Sequence, residues 1–208
     1  MFDKKITDST GFVSGWILFP VGTILLFLSP ELFHSVEGAA YCAAPNPTND
    51  PYSVPCIGSS GNDIIYGTKY GDFIDGKGGK DIIFGQEGND LIFGGDGDDE
   101  IIGEDGADGI NGQEGNDRID GGLGSDDLQG FFGNDFITGG PGIDVLTGYD
   151  GSDKLLGGSG DDVIYGNYIL SNDFEPDTIN CGSGNDATYL SLATPDIQSD
   201  CEDVYDID

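Results

Sequence analysis

A nine-residue unit repeats twelve times without a gap from Gly58 to Tyr165. A fixed period of this kind dictates architecture before any other feature, because each unit becomes one step of a stacked array. The clearest copies are 76–84 (GKGGKDIIF), 85–93 (GQEGNDLIF) and 157–165 (GGSGDDVIY). With the unit numbered 1 to 9, position 1 is always Gly, position 6 always Asp and position 8 always Ile or Leu. Position 4 is Gly in every copy but one, where Tyr70 stands.

Positions 1 to 6 carry turn chemistry. Positions 7 to 9, such as Ile64-Ile65-Tyr66 and Arg118-Ile119-Asp120, predict a three-residue strand with its middle residue facing inward and its flanks outward. Two such units make one turn of a flattened coil, so units n and n+2 stack at ~4.8 Å. Position-6 carboxylates of stacked units then lie ~5 Å apart and, at an effective dielectric near 20, repel by ~3 kcal/mol per pair. A hard divalent cation between successive turns converts that repulsion into ligation. Calcium suits it, taking oxygens from carboxylates and backbone carbonyls. Twelve units give five gaps on each of two sides, hence about ten ions, which would cancel about 20 of the 32 net negative charges.

The acidity supports this reading. The chain has 39 Asp and Glu against 7 Lys and Arg, which excludes nucleic acid as a direct partner and disfavours contact between the roll and anionic lipid. Such composition often means disorder, but here the acids are locked to a period.

The first forty residues differ from the rest. Lys4 and Lys5 precede an apolar run from Phe12 to Leu28, and Gly38-Ala39-Ala40 follow. This predicts a secretory signal peptide cut after Ala40, or an uncleaved N-terminal membrane anchor. Either places the repeats outside the cytoplasm. Cys42 and Cys56 bracket a Pro-rich segment before the array, and Cys181 and Cys201 bracket residues after it. A stiff array keeps its ends apart, so the local pairs Cys42–Cys56 and Cys181–Cys201 are expected. The predicted organisation is a leader at 1–40, a linker or N-terminal cover at 41–57, the array at 58–189 with a surface insert at about 168–176, and a C-terminal cap at 190–208.

The unit Gly-Gly-x-Gly-x-Asp-x-aliphatic-x resembles the repeats-in-toxin (RTX), or haemolysin-type, calcium-binding nonapeptide. The resemblance implies an all-β, right-handed parallel β-roll, a β-helix solenoid, with Ca²⁺ held by position-6 Asp and turn carbonyls. By that likeness the metal ligands are Asp63, Asp72, Asp81, Asp90, Asp99, Asp108, Asp117, Asp126, Asp135, Asp144, Asp153 and Asp162. Asp177 and Asp186 join them from the stretch where the period breaks. Family members exported by the type I route carry a C-terminal signal; the N-terminal leader here points to general secretion instead. Many members join the roll to a protease, lipase, epimerase or pore-forming domain, and the sequence flanking this array is too short to be expected to hold one.

No catalytic site is expected. The single histidine, His34, lies in the leader, which removes His-dependent triads and His-ligated zinc from a processed chain. Asp96, Asp98 and Asp99 lack the Gly and Glu of an EF-hand, and the glycine-rich turns lack the ending of a phosphate loop. The expected activity is calcium binding, by a structural or interaction module at the cell surface with a cell-surface protein or carbohydrate as partner. The competing reading is an accessory of a toxin or enzyme carried on another chain. Ice binding needs a regular Thr face, and only Thr138 and Thr147 occupy position 9. Outward apolar residues (Ile64, Tyr66, Phe73, Ile82, Phe84, Leu91 and Phe93) cluster in the early units and predict either a surface under the N-terminal segment or a contact for a partner.

Overall fold

The computed structural model describes residues 40–42, 55–166, 175–191 and 196–207. The leader up to residue 39, the proline-rich stretch 43–54 and most of the expected insert lie outside the described residues. The strands run in chain order as β1 (Ala40–Tyr41), β2 (Cys56–Ile57), β3 (Ile64–Tyr66), β4 (Phe73–Asp75), β5 (Ile82–Glu87), β6 (Leu91–Asp96), β7 (Glu100–Asp105), β8 (Gly109–Glu114) and β9 (Arg118–Leu123). They continue as β10 (Asp127–Phe132), β11 (Phe136–Pro141), β12 (Val145–Asp150), β13 (Lys154–Ser159), β14 (Val163–Tyr165), β15 (Thr178–Ser183), β16 (Ala187–Ser191), β17 (Ile197–Ser199) and β18 (Asp203–Ile207).

Odd-numbered strands form one nine-stranded sheet and even-numbered strands the other. Neighbours are parallel, as in β5 with β7 and β8 with β10. The chain thus alternates between sheets, two units to a turn, and is a parallel β-solenoid. Position 8 builds the core in two single-file columns. Ile65, Ile83, Ile101, Ile119, Ile137, Leu155 and Ile179 stand in register on the odd sheet. Ile74, Ile92, Ile110, Leu128, Leu146 and Ile164 do so on the even sheet. None of these thirteen is more than 1% exposed, whereas positions 7 and 9 are partly or fully exposed in most units, as the alternation requires.

Most strands are twice the expected length. β5 through β13 each span six residues, because positions 1 to 3 also belong to the ladder. Gln86 pairs with Glu104 and Glu87 with Asp105 in the same register as the core positions. From the third unit to the twelfth the corner is made by a left-handed backbone at position 2, in glycine and non-glycine residues alike: φ is 80° at Lys77, Gln86 and Phe131 and 113° at Gly95. A non-glycine residue there costs ~1–2 kcal/mol, so the Gly-Gly start of the unit is an energetic preference and not a requirement.

The register step between stacked residues is 18 through most of the array and 24 at Leu155↔Ile179 and Ile164↔Thr188. The insertion is therefore absorbed without breaking either sheet. Beyond it, β17 and β18 pair with β15 and β16, so rungs continue where the sequence has lost its repeat.

Both disulfides, Cys42–Cys56 and Cys181–Cys201, are formed. Cys56 pairs with Ile74 and so starts the inner column of the even sheet. Cys181 takes a position-1 place beside β13. Both are buried in the core, with Cys42 and Cys201 packed against it. The early apolar residues do not form one patch. Ile64, Tyr66, Ile82 and Phe84 belong to the odd sheet, while Phe73, Leu91 and Phe93 belong to the even sheet. Tyr66 stacks on Phe84 with centroids 5.0 Å apart, and Phe73 meets Phe93 at 5.6 Å.

Candidate metal sites

Position 6 ends each turn and hands the chain to the next strand, so its side chain is fixed by the ladder on both sides. All fourteen expected ligands, Asp63 through Asp162 at nine-residue steps together with Asp177 and Asp186, are buried at 4% exposure or less. They form two columns. In each, the backbone N–H of one Asp donates to Oδ1 of the Asp in the next stacked turn: Asp63 to Asp81, Asp81 to Asp99, Asp99 to Asp117 and Asp117 to Asp135, all at 2.8 Å. The even column repeats this from Asp72 to Asp90 and onward. Across the insert the pattern is unbroken, with Asp153 donating to Asp177 at 2.8 Å and Asp162 to Asp186 at 2.9 Å.

One carboxylate oxygen is thus committed to the backbone. The other has a different environment. Among the described residues, Oδ2 of Asp81, Asp90, Asp99, Asp108, Asp117, Asp126, Asp135, Asp144, Asp162 and Asp186 is buried with no hydrogen-bond partner. Each such group costs at least ~1–3 kcal/mol. Ten together, ~10–30 kcal/mol, match or exceed the ~5–15 kcal/mol by which a domain is stable, so the roll calls for something that satisfies them.

The position-1 glycines show where that would sit. A Cβ on Gly94 would stand 2.6 Å from Asp99 Oδ2 and 2.7 Å from the carbonyl oxygen of Gly112, one turn on. One on Gly139 would stand 2.6 Å from both Asp144 Oδ2 and the Gly157 carbonyl. Glycine at position 1 keeps open a cradle lined by a carboxylate oxygen and a backbone carbonyl. Among the described residues no three His, Cys, Asp or Glu side chains converge on one point, so such a site must be completed by main-chain oxygens. An all-oxygen set of carboxylate and carbonyl donors fits calcium.

Electrostatics agree. Burial, opposed by the accepted N–H bond and in most cases reinforced by neighbouring carboxylates, raises Asp81, Asp99, Asp117, Asp126, Asp144 and Asp162 to about 6. It raises Asp90 to about 7 and Asp135 to about 8, and Asp72 and Asp108 move upward from the same leading cause. For most of the array this is not enough to neutralise the columns at pH 7 by protonation.

The first turn is different. Asp63 Oδ2 accepts from Ser59 N–H at 2.6 Å and Ser59 Oγ at 2.8 Å. Asp72 Oδ2 accepts from Thr68 N–H and Oγ1 at 2.6 and 2.9 Å. A hydroxyl at position 2 here takes the place that is otherwise vacant of donors. At the other end the columns extend past the fourteen. Asp177 N–H donates to Asp196 Oδ1 and Asp186 N–H to Glu202 Oε2, both at 3.0 Å. Asp196 and Glu202 carry no repeat signature, and only the strand pairing of β17 and β18 reveals their place.

A second, outer ladder was also hidden in the sequence. At position 5 an Asn, Asp or Ser side chain accepts from the same position one turn on, as in Ala107 N–H to Asn89, Asn116 N–H to Asp98, and Asn134 N–H to Asn116. The recurrence of Asn and Asp at position 5 is the signal that could have shown it.

Stacked turns of this construction, with glycine corners and an aspartate column on each side, define a parallel β-roll. The sequence model of the RTX calcium-binding nonapeptide repeat matches residues 57–92, 93–128 and 129–164, more than half of the chain, and the chain belongs to that family. Its repeats are calcium-binding repeats. A comparison with curated proteins finds no match.

Proposed function

We propose that the chain is an extracellular, calcium-loaded β-roll that folds on its metal and serves as a structural or interaction module at the cell surface. The observation that carries this reading is the recurring buried Oδ2 with no partner beside a glycine carbonyl. Asp81 through Asp162, with Asp177 and Asp186, hold about ten Ca²⁺ between stacked turns. Asp63 and Asp72 close the first turn and contribute least, since their Oδ2 atoms already accept two bonds each.

Two disulfides support an oxidising compartment. Outside cells calcium is abundant enough to fill weak sites with dissociation constants of ~10⁻⁴–10⁻³ M. Coupling folding to that ion keeps the chain unfolded, and exportable, until it reaches calcium. Counting bound ions by equilibrium dialysis at millimolar calcium tests the reading. About ten per chain is expected, and one or none would refute it.

A further inference from the structure

We propose a binding site for a neutral sugar ring on the outer face of the even sheet, distinct from the aspartate columns. A shallow cavity of about 320 Å³, half open to solvent, lies there, lined by Asp96, Asn111, Gln113, Glu114, Phe131 and Phe132. Its volume is at the lower end of small-molecule sites, ~300–1,000 Å³.

The sheet register explains the cavity. Gly95, Gln113, Phe131 and Tyr149 stand side by side on β6, β8, β10 and β12. Phe131 and Tyr149 stack at 4.5 Å and form a wall at one end of this row. Gly95, with no side chain, leaves the other end open. The next row is Asp96, Glu114 and Phe132, and Phe132 is 49% exposed. The apolar surface is thus an aromatic ring available to a ligand, not one filled by the protein's own packing.

The polar lining selects the ligand class. Asn111 Oδ1 is buried without a hydrogen-bond partner, and a buried unpaired acceptor calls for a donor. Asn111 and Gln113 each donate and accept, while Asp96 and Glu114 accept. No Lys, Arg or His lines the cavity, so an anionic ligand would meet two carboxylates and no counter-charge. An ammonium would suit the acceptors but leave both amide N–H₂ groups facing no acceptor. Hydroxyl groups donate and accept at once, and the C–H face of a pyranose packs on an aromatic ring. A sugar ring meets both demands.

The proposal needs the roll to be folded but not the assignment of any calcium ligand. Saturation-transfer NMR on the full chain, in saturating calcium and with its strand spectrum verified, is the test. The probes are neutral oligosaccharides of glucose, mannose and N-acetylglucosamine, with tetramethylammonium as the cationic control. At least one saccharide should bind, and its affinity should fall at least tenfold in Phe132→Ala and in Asn111→Ala, with the strand spectrum of both variants unchanged. Failure of all three saccharides to bind, binding that survives both substitutions, or Phe132-dependent binding of tetramethylammonium alone would overturn it. Loss of the strand spectrum in calcium would instead count against the fold-on-metal reading.

Discussion

The backbone N–H of Asp99 donates to Oδ1 of Asp117, 2.8 Å away and one turn further along the roll. Each aspartate from Asp81 to Asp144 therefore braces its neighbour through one oxygen and offers the other, Oδ2, to whatever lies between the turns. Removing one link from the middle should cost more than removing the first. Asp117→Ala deprives Asp99 of its acceptor and a cradle of its carboxylate, with an expected loss of ~2–3 kcal/mol. Asp63→Ala removes only a turn already closed by Ser59, at ~1 kcal/mol. Thermal melts in millimolar calcium check the order, and equal losses would contradict it.

The cradle forbids a side chain at position 1. Gly94→Ala would place its Cβ 2.6 Å from Asp99 Oδ2 and 2.7 Å from the Gly112 carbonyl. It should lower calcium affinity and cost upward of ~2 kcal/mol as the crowded atoms shift. Gly109 sits at position 7, where a Cβ would meet nothing closer than 3.4 Å. Gly109→Ala should be neutral or stabilise by up to ~1 kcal/mol. Calcium titrations and melts of the two variants separate the effects.

The columns also set a pH dependence. Burial raises these carboxyls above their ordinary value, to about 6 at Asp99 and about 8 at Asp135. A raised carboxyl favours the folded state while protonated. The stability it gives the metal-free roll is full below the unfolded value near 4 and is lost as pH rises through about 6 to 8. Metal-free protein should therefore regain strand signal between pH 8 and pH 5. Calcium needs ionised ligands, so its affinity should move the other way and rise from pH 5 to pH 8. Circular dichroism with chelator, and calcium titrations at both pH values, check the two opposite trends.

Thr188 stands in the inner column opposite Ile164, fully buried, with its hydroxyl unpartnered. Every other buried residue of that column from Ile74 to Ile164 is aliphatic. Thr188→Val keeps the shape and removes the stranded hydroxyl, and should stabilise by ~1 kcal/mol. A lower melting temperature in calcium would contradict that.

The period carried most of the fold to the reader of the sequence, because a nine-residue step leaves no freedom in which residues stack. The two inward columns between Ile65 and Ile164 and the aspartates on either side follow directly from it. Strand length is not legible in it, since glycine-rich positions read as turn. At Gln86 and Glu87 the ladder continues through a left-handed corner that Lys, Gln, Glu, Phe and Tyr adopt at position 2 as well as Gly. The division of labour within each carboxylate was equally hidden, because spacing places an aspartate but not its two oxygens. Asp196 and Glu202 escaped because their rungs are held by strand pairing and the Cys181–Cys201 bridge, which need no repeat motif.

In the proposed reading, metal between the turns is what holds the roll together. Far-UV circular dichroism of the disulfide-intact chain at pH 7.5, first in millimolar calcium and then in excess chelator, asks this directly. The predicted result is a strand spectrum in calcium that collapses toward that of an unfolded chain on chelation and returns when calcium is restored. An identical strand spectrum in both conditions would contradict it.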